Sequence, residues 1–321
     1  MKIIGLMPVK NEEWILERTL GSLSKICDYV IVADQNSTDR SMEIVKSIPN
    51  CTLLKNDEIY HSSNVRKMLL DAVRENFSGS NLLISLDADE IFTSNILDKG
   101  AIESWKALPK GTSVSLEWIQ LWRSIYLYRN DDSVWTNNRK YFVYVDDRDR
   151  AFDKVNVIND HTERFPFDPE KTYTENRVSV LHFQFVCYER MLSKQNYYMV
   201  SEKVFGDKTD SYINKKYKIA KDEGNMSLQK VDKQFYSGWE KLGISLDIGI
   251  NECLFWYDLE VLSMMKKQGC RFFENLNIWD IDWEVKKQMA IAKGHAEFVD
   301  LSIRQKPRDS LFGAIRRRFT K

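Results

Sequence analysis

The chain has 321 residues, 43% hydrophobic and 29% charged, which is the balance of a folded protein long enough for two domains, or for one large domain with an appendage. Lysine plus arginine equals aspartate plus glutamate at 47 each, so no basic excess calls for nucleic acid. The cysteines Cys27, Cys51, Cys187, Cys253 and Cys270 are scattered, which argues against a disulfide framework or a zinc site and fits a reducing compartment.

No long apolar stretch opens the chain, so neither a signal peptide nor a membrane span is expected, and the cytoplasm is the expected location. Residues 2–9 form a short apolar run with little alternation, as in a strand covered on both faces. Asn11-Glu12-Glu13 then opens a helix that Asn11 can cap, with Leu16, Leu20 and Leu23 on its core face. Tyr29 to Ala33 is a second buried strand ending at Asp34, and Thr38-Asp39 begins a helix that runs to about Ile48. Cys51 to Leu54 reads as a third strand. Val65, Met68, Leu69, Ala72 and Val73 mark the clearest helical face in the chain. Leu82 to Leu86 is the fourth strand.

Strands alternating with amphipathic helices predict an α/β fold with a mixed, mostly parallel sheet flanked by helices. Ligands of such sheets bind beyond the carboxyl ends of strands. Polar clusters stand at three of these ends: Lys10 to Glu12, Asp34 to Asp39, and Asp87 to Glu90. Beyond them, residues 91–108 read as helical, while Ser113 to Leu121, Tyr141 to Val145 and Val178 to Phe185 read as strands. From Glu189 the pattern turns helical, so the expected division is 1–188 for the sheet domain and 189–321 for a mainly helical C-terminal region.

Asp87-Ala88-Asp89-Glu90 follows an apolar strand directly. Alternation along a strand puts Asp87 and Asp89 on one side, where two carboxylates repel unless a proton or cation lies between them. A hard divalent ion such as Mg²⁺ or Mn²⁺ takes such oxygens and leaves positions for phosphate. The plainer reading is an acidic turn capping the next helix.

Val9 to Glu12, Val32 to Asp39 and Leu86 to Glu90, in that order, resemble the pattern of glycosyltransferase family 2 over about the first 90 residues. The resemblance implies a GT-A fold, a nucleotide-sugar donor, a divalent metal and inversion at the anomeric carbon. It assigns Asp34 to a base N–H, since an ionised carboxylate only accepts, and it assigns Asn11, Glu12 and Asp39 to the nucleoside pocket. Helix capping is the plainer role of Asn11 and Asp39. Arg66 matches the basic position ahead of the metal motif and would meet diphosphate or base. Asp87 and Asp89 would meet the metal, the ribose and the diphosphate. Gln35 stands where the family often has a second acid, which leaves the base preference open.

An inverting transfer needs a base for the acceptor hydroxyl. Family members usually place it after the fifth or sixth strand, which here points to Glu163, with Asp160 second. Many GT-A enzymes complete the metal site with a late histidine, which points to His182, although a lone histidine in an apolar strand is more often a core residue. Trp118, Trp122, Trp135, Tyr197 and Tyr198 are acceptor-side candidates that can equally be packing. The segment 310–321 is apolar and basic, and reads either as a contact with the inner face of an anionic membrane, where lipid-linked acceptors lie, or as a free tail. The family implies work on bacterial surface polysaccharide or lipopolysaccharide. The competing reading is a non-catalytic nucleotide-sugar-binding protein on the same fold.

Overall fold

The computed structural model describes residues 1–58, 64–133, 136, 138–152, 163–221, 226–249 and 253–303. Asp160, Trp135 and the segment 310–321 lie outside them. Contacts divide the chain into two units. The first takes Met1–Val186 and Met226–Ile250, and the second takes Cys187–Asn225 and the chain from Asn251 onward.

In the first unit, β1 (Ile3–Val9), α1 (Glu13–Ile26), β2 (Tyr29–Asp34), α2 (Ser41–Ser47), β3 (Cys51–Lys55), α3 (Asn64–Asn76) and β4 (Leu82–Ser85) alternate as expected. β1 runs parallel to both β2 and β4, and β2 runs parallel to β3. Alternation sorts the strand residues between two cores. Ile3, Met7, Val30, Val32, Leu82 and Ile84 pack with Leu16, Leu20 and Leu23 of α1. Ile4, Leu6, Ile31, Ala33 and Leu83 pack on the other side with Leu69, Leu70 and Val73 of α3. The near-continuous apolar runs follow from this double burial. Gly5 permits the close approach of α1, because a Cβ there would stand 2.8 Å from Leu23 Cδ2 and 3.2 Å from Cys27 Sγ.

The region read as one helix over 91–108 is instead β5 (Glu90–Phe92), a 3₁₀ turn and α4 (Gly100–Lys106). Tertiary pairing overrides the local pattern here, because Glu90, Ile91 and Phe92 ladder against His182, Leu181 and Val180. β6 (Ser113–Gln120), β7 (Leu127–Arg129), β8 (Arg139–Val145) and β9 (Thr172–His182) follow. Among the described residues the main sheet has eight strands in the order β3-β2-β1-β4-β8-β6-β9-β5. It is mixed, since β8 is antiparallel to β4 and β6, while β6 and β9 are parallel. From β1 the chain winds out to β2 and β3 and returns on the other side at β4. The order of the sheet therefore reverses between β1 and β4, the place where ligands of such sheets bind beyond the carboxyl ends of strands.

The second unit holds α5 (Tyr188–Phe205) and α6 (Asp210–Lys221). The chain then returns to the first unit, where β10 (Leu228–Lys230) pairs with β7 and α7 (Ser237–Lys241) carries buried Trp239, whose indole N–H donates to the Phe92 carbonyl at 2.7 Å. Residues 226–250 thus go with the sheet rather than with the helices that flank them in sequence. α8 (Trp256–Gln268) and α9 (Trp283–Ala292) complete the second unit, around a core that includes Met199, Val261, Leu262, Met265, Phe273 and Trp283. No helix among the described residues is long and apolar enough to cross a membrane.

Candidate functional site

The loops after β1 and β2 lock together. Asn11 and Asn36 both take left-handed backbone with φ of 52°, which asparagine tolerates better than most residues. The Asn11 N–H donates to Ser37 Oγ at 2.9 Å, and the Thr38 N–H donates to Asn11 Oδ1 at 2.7 Å. The cap expected from Asn11 comes instead from Asp39, whose Oδ2 accepts the Glu13 N–H at 3.0 Å while its Oδ1 accepts the Ser41 N–H at 2.9 Å. Asn11 is occupied in bracing the neighbouring loop. Glu12 is buried and accepts the Trp14 indole N–H. Gln35 is buried as well, and its amide donates to the Glu58 carbonyl at 2.7 Å.

Asp34 ends β2 almost fully buried. Its Oδ2 accepts the Ser37 N–H at 3.0 Å. Its Oδ1 is buried with no hydrogen-bond partner. A buried carboxylate oxygen without a donor is costly and marks a place where a ligand N–H would fit.

Beyond β4 the expected alternation fails. The strand ends at Ser85, and the chain turns at residues 88–89 before β5. Asp87 and Asp89 therefore leave in different company. Asp87 accepts a guanidinium N–H from Arg66, and another from Arg164 at 2.9 Å. Burial works against its charge, but Arg164 and Arg66 outweigh burial and hold the carboxyl well below the usual carboxylate range. Arg66 also donates to Ser85 Oγ at 3.0 Å. Arg164, whose neighbour Glu163 is half-buried, donates to both oxygens of Glu90 at 2.8 Å and to the Ser85 carbonyl at 3.0 Å, and lies over the Phe142 ring. Glu90 in turn accepts the Asp87 N–H at 2.6 Å. Arg164 carries no motif of its own in the sequence, yet its guanidinium ties residues 85–90 together.

Asp89 turns to β9, where its Oδ1 lies 3.4 Å from His182 Nε2. On the far side of the ring, His182 Nδ1 lies 2.7 Å from Gln120 Oε1, and Trp118 stacks on the imidazole at 4.5 Å. A proton on Nδ1 donated to Gln120 leaves the Nε2 lone pair facing Asp89. Bonds of about 2.1 Å to an octahedral ion set neighbouring ligand atoms about 3 Å apart, so Asp89 and His182 fit as a two-residue ligand set. Asp87 is engaged by two arginines, and no cluster of three or more His, Cys, Asp or Glu able to hold a metal occurs among the described residues. Trp118 and Trp122 are both buried. Tyr197 and Tyr198 belong to an aromatic group in the second unit with Trp256 and Tyr257.

The profile of "Glycosyl transferase family 2" matches residues 6–120. That span holds the ends of β1, β2 and β4 and reaches Gln120, in agreement with the GT-A-type sheet expected from the motifs. No curated protein matches the chain. Among solved structures, S. aureus TarS 1–349 is 14% identical with a TM-score of 0.40, covering 86% of this chain and 83% of that one. The same fragment has been crystallised with UDP-GlcNAc. Glucosyl-3-phosphoglycerate synthase from Mycobacterium tuberculosis, in complex with Mn²⁺, UDP and phosphoglyceric acid, is 17% identical with a TM-score of 0.28, covering 37% of this chain and 43% of that one.

Proposed function

We propose that the chain, whose residues 6–120 match the glycosyltransferase family 2 profile, is a glycosyltransferase that transfers a sugar with inversion from a nucleotide-sugar donor to a hydroxyl of a glycan or lipid-linked glycan, with Mn²⁺ or Mg²⁺. The carrying observation is the buried, unpartnered Oδ1 of Asp34, an acceptor waiting at the carboxyl end of a strand for the N–H of a nucleobase. Asn11 and Asp39 hold the loops that frame that oxygen. Glu12 supports the same wall through Trp14. Arg66 donates to Asp87 and to Ser85 Oγ at the end of β4, where a guanidinium suits a diphosphate.

Asp89 and His182 are the residues that would hold the divalent ion, with Gln120 orienting the imidazole. When bound, the ion would offset the charge growing on the departing diphosphate. The acceptor oxygen attacks the anomeric carbon, the bond to the diphosphate breaks, and the hydroxyl proton passes to a carboxylate. Glu163 is our assignment for that carboxylate. It adjoins Arg164 in sequence, and Arg164 is bonded to Asp87, which supports a place beside the donor. Asp160 is the second choice. The family and the apolar, basic segment 310–321 together support work on bacterial surface polysaccharide or lipopolysaccharide at the inner face of the membrane.

Calorimetry of UDP binding with and without Mn²⁺, on wild type and His182→Ala, tests the reading. Mn²⁺ should tighten UDP binding to wild type, and His182→Ala should lose that gain while keeping the metal-free affinity. Binding indifferent to metal would contradict the assignment, as would full metal-dependent turnover in His182→Ala.

A further inference from the structure

Lys140 is a cation of the sheet that the donor reading leaves unused. It sits on β8 opposite Leu116 of β6, while Gln120 of β6 lies opposite His182 of β9. Trp118, midway between Leu116 and Gln120, is thus flanked from one side by Lys140 and from the other by His182. The Lys140 Nζ lies 3.9 Å from the Trp118 ring, whose other neighbour, the imidazole, is 4.5 Å away. Asp87 and Glu90 are taken by Arg66 and Arg164, and Asp89 faces His182. No carboxylate among the described residues comes within ion-pair distance of Lys140. Burial and the nearby Arg164 disfavour its ammonium, with Glu90 and Asp87 only partly offsetting them. Beside it, Trp118 Nε1 is buried with no hydrogen-bond partner.

An ammonium beside an unpartnered indole N–H asks for an anion or a cluster of acceptor oxygens. Strand order says which part of a substrate supplies it. On the donor reading the nucleoside would lie over β2 and β1 and the diphosphate beyond β4, so β8 and β6, next in the strand order, would lie on the sugar and acceptor side. We propose that Lys140 recognises an anionic substituent, phosphate or carboxylate, on the acceptor, making it a specificity-determining residue of the transfer. The inference rests on the donor reading for the direction in which substrates lie along the sheet.

The experiment is calorimetry on the full chain with saturating UDP and Mn²⁺, titrating a hexose 6-phosphate, a hexuronate and the corresponding neutral hexose into wild type, Lys140→Met and Lys140→Arg. One anionic probe should bind wild type about tenfold or more tightly than the neutral hexose, the gain of a charge-assisted hydrogen bond. Which probe does so separates phosphate from carboxylate. Lys140→Met should erase the preference, Lys140→Arg should keep part of it, and UDP affinity should stay within about twofold throughout. Equal binding of anionic and neutral probes to wild type would overturn the proposal. So would a preference that survives Lys140→Met, or a parallel fall in UDP affinity, which would make Lys140 a diphosphate ligand. Failure of the donor reading shows separately, as wild type that does not bind UDP, and the probes are then titrated without it. Melting curves of the variants distinguish lost recognition from lost folding.

Discussion

Arg164 Nη2 stands 2.9 Å from Asp87 Oδ2, although 77 positions separate the two in sequence. The same guanidinium grips Glu90, which is wholly buried, and the Ser85 carbonyl. A segment remote in the chain is thereby fastened to the turn that carries the acidic motif, and the three acids of that motif are sorted into separate roles. Glu90 is structural, Asp87 is neutralised by two arginines, and Asp89 faces the imidazole.

Arg164→Met should therefore cost more than its apolar replacement suggests. It leaves the Glu90 carboxylate buried without its cation, a loss of about 3–5 kcal/mol for a broken buried pair. Arg164→Lys should recover only part, because a point charge cannot serve Asp87, Glu90 and a carbonyl at once. Urea denaturation measures both. A loss below about 1 kcal/mol in Arg164→Met would show that the network is not holding the turn.

Asp34→Asn should weaken nucleotide binding with little change in stability. The Ser37 N–H needs an acceptor at the Oδ2 position, so the asparagine oxygen settles there. Its NH₂ then occupies the place of the unpartnered Oδ1 and meets a base N–H donor to donor. A lost charge-assisted bond of about 1.5–3 kcal/mol corresponds to UDP affinity about ten- to a hundredfold lower. Unchanged affinity in calorimetry would move the base away from Asp34.

The parallel half of the sheet was legible in the sequence because doubly buried strands and amphipathic helices write their periods locally. β5 was not, because Glu90-Ile91-Phe92 is too short to carry a period and becomes a strand only through His182 and its neighbours. β7 and β10 hide for the same reason, each having three residues and the other as partner. In the site, the motif acids could be named from spacing, but their directions could not. Alternation assumes a strand, and β4 ends at Ser85, with the turn following at residues 88–89. Arg164, Gln120 and Lys140 gave no signal of their own, since each acquires its role from a residue on another strand or loop. Residues 226–250 lie between helices in sequence and pack with the sheet through Trp239, a placement that no local pattern encodes.

Gln120→Leu tests whether His182 is held for a ligand or merely packed. The substitution keeps the bulk and removes the oxygen 2.7 Å from Nδ1. If that contact orients the imidazole, Mn²⁺ affinity in the presence of UDP should fall about ten- to a hundredfold, as for other lost supports of a ligating histidine. Binding of UDP without metal should not change. Metal affinity equal to wild type would return His182 to the role of a core residue.

Glu175 sets a pH dependence whose sign follows from its surroundings. Burial opposes its charge, but hydrogen bonds from the Arg177 side chain and backbone, and from the Trp105 indole at 3.0 Å, outweigh burial and lower its pKa. A carboxyl with a depressed folded pKa stabilises the fold above its unfolded pKa of about 4.3, and that contribution is lost as pH falls through the folded value. Glu175→Gln cannot ionise, so it should be less stable than wild type near neutrality. The gap should narrow as pH drops from about 5 toward 3, because only wild type is losing a contribution there. Urea denaturation across that range reads the gap directly. A gap that stays constant, or widens in acid, would mean that Glu175 acts through shape and hydrogen bonding alone and that its ionisation is not linked to folding.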